Sequence, residues 1–153
     1  IKLGIPEYAA HMFIFYYAVL SEVSPPTALA PFAAAAITGG SPYKTTMMAW
    51  KYTAPAFLVP FMFTLHPDGI GLLLKGDWRN IIVTTLTAAL GLGALAGGLT
   101  GWLLGKAHSL ERGLLIVAGL VLVYPSPMQD LIGLGLFGIA LSLQYRRHKL
   151  WRN

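Results

Sequence analysis

Cysteine is absent from the 153 residues, which excludes disulfides and thiolate metal sites and leaves the redox compartment unread. Charge is scarce too. Aspartate and glutamate total 6, and charged residues make up 11% of the chain against 56% hydrophobic. Soluble domains carry about a quarter charged residues, so this composition does not describe one. The few carboxylates fall mostly at the ends of apolar segments, and the four histidines His11, His66, His108 and His148 show no ligand spacing. No nucleophile has a base nearby, so enzymatic catalysis and a bound cofactor are not expected. A secretory leader is also missing at Ile1: no basic stretch precedes an apolar run with a small-residue cleavage site. The chain reads as part of a longer polypeptide.

What is present suits lipid. Mean hydropathy is +0.62. The net charge of +5 does not point to nucleic acid, because the basic residues stand at the ends of apolar segments, where membrane topology puts them. One stretch interrupts the apolar pattern, Ser21-Glu22-Val23-Ser24-Pro25-Pro26-Thr27. It lies between the aromatic run His11 to Leu20 and the alanine-rich run Ala28 to Ile37. Adjacent prolines donate no backbone hydrogen bonds and push the preceding residue out of the helical region, so a helix entering here breaks. At membrane depth the freed carbonyls are tolerated only where protein buries them or water reaches them, which marks the break as a candidate binding site.

Taken in order, residues 1 to 7 read as a connector ending near Pro6. A half-helix from Tyr8 to about Val23 covers about 24 Å, short of the roughly 30 Å hydrocarbon core. Thr27 to about Ile37 supplies the missing length, with Thr38-Gly39-Gly40 as a C-terminal cap, so 8 to 38 reads as one discontinuous span. Ser41-Pro42 predicts the next start, with serine as cap and proline at the first position. That span, about 42 to 65, carries Pro55 and Pro60 as kinks and stops at the turn His66-Pro67-Asp68-Gly69. Lys44 and Lys51 can snorkel to one interface. Ile70 to Leu74 is too short to span. Asp77 offers an N-cap for a span of roughly 78 to 104, Ser109 for one of about 110 to 124, and Ser126-Pro127 opens a fifth to about Tyr145. The fold class is therefore all-helical and multi-pass, with about five spans.

Gly93, Gly97, Gly101 and Gly105 recur every four residues and predict a helix face open to close packing. Gly133-Leu134-Gly135-Leu136-Phe137-Gly138 matches the dinucleotide fingerprint by letter only. No strand precedes it and no acidic residue follows at the required distance, so helix packing explains it better. Glu22 is costly near the membrane interior and should face a cavity, carry a proton or meet a cation; an interfacial Glu22 paired with Lys44 or Lys51 is the plainer reading. His11, Tyr16 and Tyr17 read as packing and interfacial residues. Placing the basic tail Arg146, Arg147, Lys149 and Arg152 in the cytoplasm puts Lys44, Lys51, Lys106 and Arg112 on its side. Only Lys2, Lys75 and Arg79 then lie opposite.

The run His11 to Ala30 with its Ser24-Pro25-Pro26-Thr27 element, continued through Ser41-Pro42-Tyr43-Lys44-Thr45 and the proline-bearing span to Pro67, resembles the end of the large membrane subunit of TRAP transporters. These are the tripartite ATP-independent periplasmic transporters, and the resemblance is strongest to their fused permeases. It implies transport region in 1–67 and an appended membrane domain of about three helices in 68–153. It further implies a bacterial inner-membrane secondary transporter with an elevator-like movement. Sodium would be the coupling ion, and a periplasmic solute-binding protein would deliver a small organic solute. The sodium ligands implied are Ser24, Pro25 and Thr27, with Glu22 as a further candidate. The hairpins that complete the family's site lie outside these residues, so the remainder of the permease and membrane lipid are implied partners. A non-transporting scaffold or assembly subunit is the alternative, although it has no reason to keep Glu22 to Thr27 polar.

Overall fold

A computed structural model describes the backbone of residues 4–150 and the side chains of residues 4–147. Lys2, Trp151 and Arg152 lie outside the described residues, as do the side chains of His148 and Lys149. The architecture is helical, with no strand among the described residues. It divides into two units that meet between Pro60 and Phe61.

In the first unit, α1 (Glu7–Leu20) passes into a 3-10 turn, Ser21–Val23, and the helix then breaks. α2 (Leu29–Thr38) resumes it and ends on Gly39, whose φ of 70° is the left-handed conformation that glycine adopts without strain. α3 (Pro42–Thr53) starts on the expected proline. Ser41 does not cap it through its side chain; its carbonyl instead accepts from the Thr45 amide at 3.0 Å. α3 packs on α2 and on the turn Ser21–Val23. Pro55 and Pro60 act as expected. The helix tightens to a 3-10 stretch at Ala54–Leu58 before α4 (Val59–Met62), because neither ring nitrogen can donate. Pro60 also removes the amide that a 3-10 turn would offer the Phe57 carbonyl, and the Tyr17 hydroxyl donates to that carbonyl at 2.7 Å.

In the second unit, Pro67–Leu73 forms a 3-10 stretch packed on α5 (Trp78–Thr100). Gly69 lies so close to the Met62 carbonyl that a Cβ has no room there. Asn80 Nδ2 and Thr84 Oγ1 donate to the Asp68 carbonyl at 3.0 and 3.4 Å, which ties this short apolar piece to the longer helix. α6 (Ser109–Leu122) packs against both α5 and α7 (Pro127–Leu150). Ala94, Leu115 and Ala140 are fully buried between them. Asp77 caps α5 as expected, accepting from the Arg79 amide at 3.3 Å. The expected cap of α6 shifts by one residue: Ser109 is already helical, and the Glu111 carboxylate reaches back to accept from the His108 amide at 2.8 Å.

Only α5 is by itself long and apolar enough to cross a membrane among the described residues. Pro42–Met62 and Pro67–Leu73 meet that criterion only when taken together across the break between them. α6, with 14 residues, covers about 21 Å, and the prolines at 25, 26, 55 and 60 interrupt the apolar segments of the first unit.

Candidate functional site

The break between α1 and α2 is built from carbonyls that have lost their donors. In a helix the Glu22 carbonyl would accept from residue 26, or from residue 25 in a 3-10 turn, and both are prolines. The Thr27 carbonyl likewise loses its α-helical donor to Pro31. Ser21 fares differently. Its carbonyl accepts from the Ser24 amide at 3.4 Å and from Ala28 at 3.2 Å, and Ala28 also donates to the Ser24 carbonyl at 2.9 Å. Ala28 closes this turn with φ 47°, and the Pro25-Pro26 peptide is cis.

Side chains sort into two groups. Ser24 is buried at 7% exposure, and its hydroxyl donates to the Leu20 carbonyl at 3.0 Å, leaving lone pairs as acceptors. Glu22, Pro25, Pro26 and Thr27 are exposed on the unit. Glu22 forms no ion pair among the described residues, so the expected pairing with Lys44 or Lys51 is not formed. The carbonyl end of α1 and the Glu22 carboxylate both favour a cation, whereas the amino end of α2 opposes one. The attractive side of the break is therefore the α1 side. His11 takes no part: its Nε2 lies 3.5 Å from Glu7 Oε1, with both side chains largely exposed. Tyr17 contacts Phe13 and Phe57 with ring centroids 4.9 and 5.9 Å apart. No group of three or more histidines or carboxylates is placed to hold a metal among the described residues.

The glycine face in α5 differs from the one expected. Gly97 is close-packed, but against Leu103 of the following loop. Gly93 has open space around it, Gly101 lies past the end of the helix with φ 76°, and Gly105 lies in the loop. Close approach of α5 to α6 uses Gly91 and Gly98 instead. A Cβ on Gly91 would stand 2.8 Å from Leu122 Cβ, and one on Gly98 would stand 2.7 Å from Ile116 Cγ1. Gly119 of α6 answers them, fitting against Leu95 and the Gly91 carbonyl. In the 133–138 run, Gly133 packs against Leu122, while Gly135 and Gly138 are open.

A polar cluster at the far end of this bundle was not anticipated. Glu111, 6% exposed, accepts from Arg147 at 2.8 Å, and Arg147 also donates to the Lys106 carbonyl. Arg112 Nε donates to the Gly98 carbonyl at 3.0 Å, satisfying the end of α5.

Residues 1–68 match the family described as Tripartite ATP-independent periplasmic transporter, DctM component. That match supports the resemblance of this segment to the TRAP transporter large membrane subunit. The family is one of membrane transport, not of enzymes, and the matched residues contain the whole break. No curated protein matches the chain, and no solved structure matches it.

Proposed function

We propose that the chain is part of a sodium-driven TRAP permease that imports a small organic solute delivered by a periplasmic binding protein. On this reading the break after α1 contributes one wall of a sodium site. Ser24, Pro25 and Thr27 supply hydroxyl and carbonyl oxygens, and Glu22 supplies a carbonyl, a carboxylate or both. The observation that carries the proposal is the Glu22 carbonyl: Pro25 and Pro26 remove both donors that would otherwise satisfy it, at the junction of two half-helices. Oxygen ligands of this kind suit a hard cation, and unwound carbonyls at broken helices are where sodium-coupled transporters hold the ion. Glu22, Pro25 and Thr27 are exposed on their unit, so the opposite wall comes from the remainder of the permease.

Residues 68–153 form an appended membrane domain on this reading, and the chain crosses the bacterial inner membrane about five times with its C-terminus in the cytoplasm. Solute uptake by the whole permease, measured against external sodium with Ser24→Ala and Thr27→Val introduced singly, tests the assignment. Weakened sodium dependence in either variant supports it. Unchanged dependence in both removes the ion site and leaves a packing break of the kind a scaffold subunit would carry.

A further inference from the structure

α3 turns an unusual face outward. Thr46 is buried, and Thr45, Ala49 and Thr53 are half-buried, which sets the inner stripe that packs on α2. Tyr43, Lys44, Met47, Trp50, Lys51 and Tyr52 are exposed. Lys44 and Lys51 are seven residues apart, two turns of helix, so they stand on one stripe about 10 Å apart along the axis. Tyr43 and Trp50 repeat that spacing one residue earlier, and Met47 lies between the two pairs.

The α3 sequence contains no carboxylate, and neither lysine forms an ion pair among the described residues. The acidic residues of this unit do not supply one: Glu7 is placed against His11, and Glu22 lies beyond the end of α1. A face that interleaves ammonium groups with large apolar and aromatic side chains fits neither bulk water nor the hydrocarbon core. It fits the boundary between them, where lysine stems lie along apolar surface, their heads reach phosphates, and tryptophan and tyrosine sit at headgroup level.

We infer that the outward face of α3 is a docking surface for anionic phospholipid, with Lys44 and Lys51 on the headgroup phosphates and Met47 and Trp50 at the acyl boundary. The occupant is chosen by charge complementarity: the face offers two unpaired positive charges and nothing negative. The inference requires only that the chain sit in a bilayer, so it stands or falls separately from the sodium site.

The test is native mass spectrometry of the full chain in detergent micelles, titrated with phosphatidylglycerol and, separately, phosphatidylcholine. At roughly fivefold for each lysine near a phosphate, phosphatidylglycerol should bind roughly 25-fold more tightly than phosphatidylcholine. K44Q/K51Q should lower it to the phosphatidylcholine level, K44R/K51R should retain the preference, and K75Q should leave it unchanged. The single variants K44Q and K51Q give intermediate losses, which keeps the test decisive if the double variant misfolds. Equal binding of the two lipids overturns the inference, as does phosphatidylglycerol binding that K44Q and K51Q leave intact. A photoreactive residue at Met47 that labels protein rather than lipid in native membranes also overturns it.

Discussion

Glu111 is a carboxylate held at 6% exposure in a chain that keeps most of its charge at segment ends. It stays there because the His108 amide and the Arg147 guanidinium both donate to Oε2 at 2.8 Å. Removing one partner of a buried pair costs more than the pair contributes, since the other charge stays desolvated. Arg147 is itself partly exposed, which moderates the loss. Arg147→Ala should therefore lower stability by about 2 kcal/mol, read as a fall in melting temperature in detergent. Glu111→Gln removes the charge but keeps an acceptor for His108, so it should cost less. The double variant Glu111→Gln/Arg147→Ala should be more stable than Arg147→Ala alone. A double variant less stable than Arg147→Ala would show that Glu111 is not left as an uncompensated charge.

Between elements, packing depends on which glycines face the neighbouring helix. A four-residue repeat advances about 40° around the helix at each step, so Gly93, Gly97 and Gly101 drift off any one face. A seven-residue spacing drifts only about 20° the other way, which keeps Gly91 and Gly98 together against Gly119. Gly91→Ala should cost about 1–3 kcal/mol through overpacking against Leu122. Gly93→Ala, in open space on the same helix, should be neutral or stabilising by up to about 1 kcal/mol. Thermal unfolding of the two variants side by side checks this, and equal losses would contradict the assignment of faces. The contrast also shows what the sequence could convey. Helix starts at Ser41-Pro42 and Ser126-Pro127 and the break at Pro25-Pro26 were legible because proline acts locally through its fixed φ and missing donor. The packing face was not, because it depends on where a second helix lies. The His108–Glu111 cap carried a usable signal, an acidic side chain at the third helical position, which the nearby Ser109 obscured.

For the molecule as a whole, the transporter segment was legible from a specific element in a specific context, and the family match to residues 1–68 covers that element. The compact units divide at Pro60, seven residues before the turn at which the transport region was expected to end, because Gly69 packs on Met62 and the Asp68 carbonyl accepts from Asn80 and Thr84 of α5. The proposed membrane orientation rests on the placement of lysine and arginine. Reporter fusions after Asn153 should report the cytoplasm, and fusions between Asp68 and Asp77 the periplasm; the reverse pattern would invert the proposed topology. The central claim concerns the break itself and the Glu22 carbonyl that two prolines leave without a donor. Pro25→Ala/Pro26→Ala returns two backbone amides to that carbonyl, so the most direct measurement is the sodium concentration that half-saturates solute uptake by the whole permease carrying this pair. A cation held at the break predicts a rise of about tenfold or more, the equivalent of about 1.4 kcal/mol of lost binding, with membrane insertion retained. An unchanged half-saturating concentration in a normally inserted permease would contradict it.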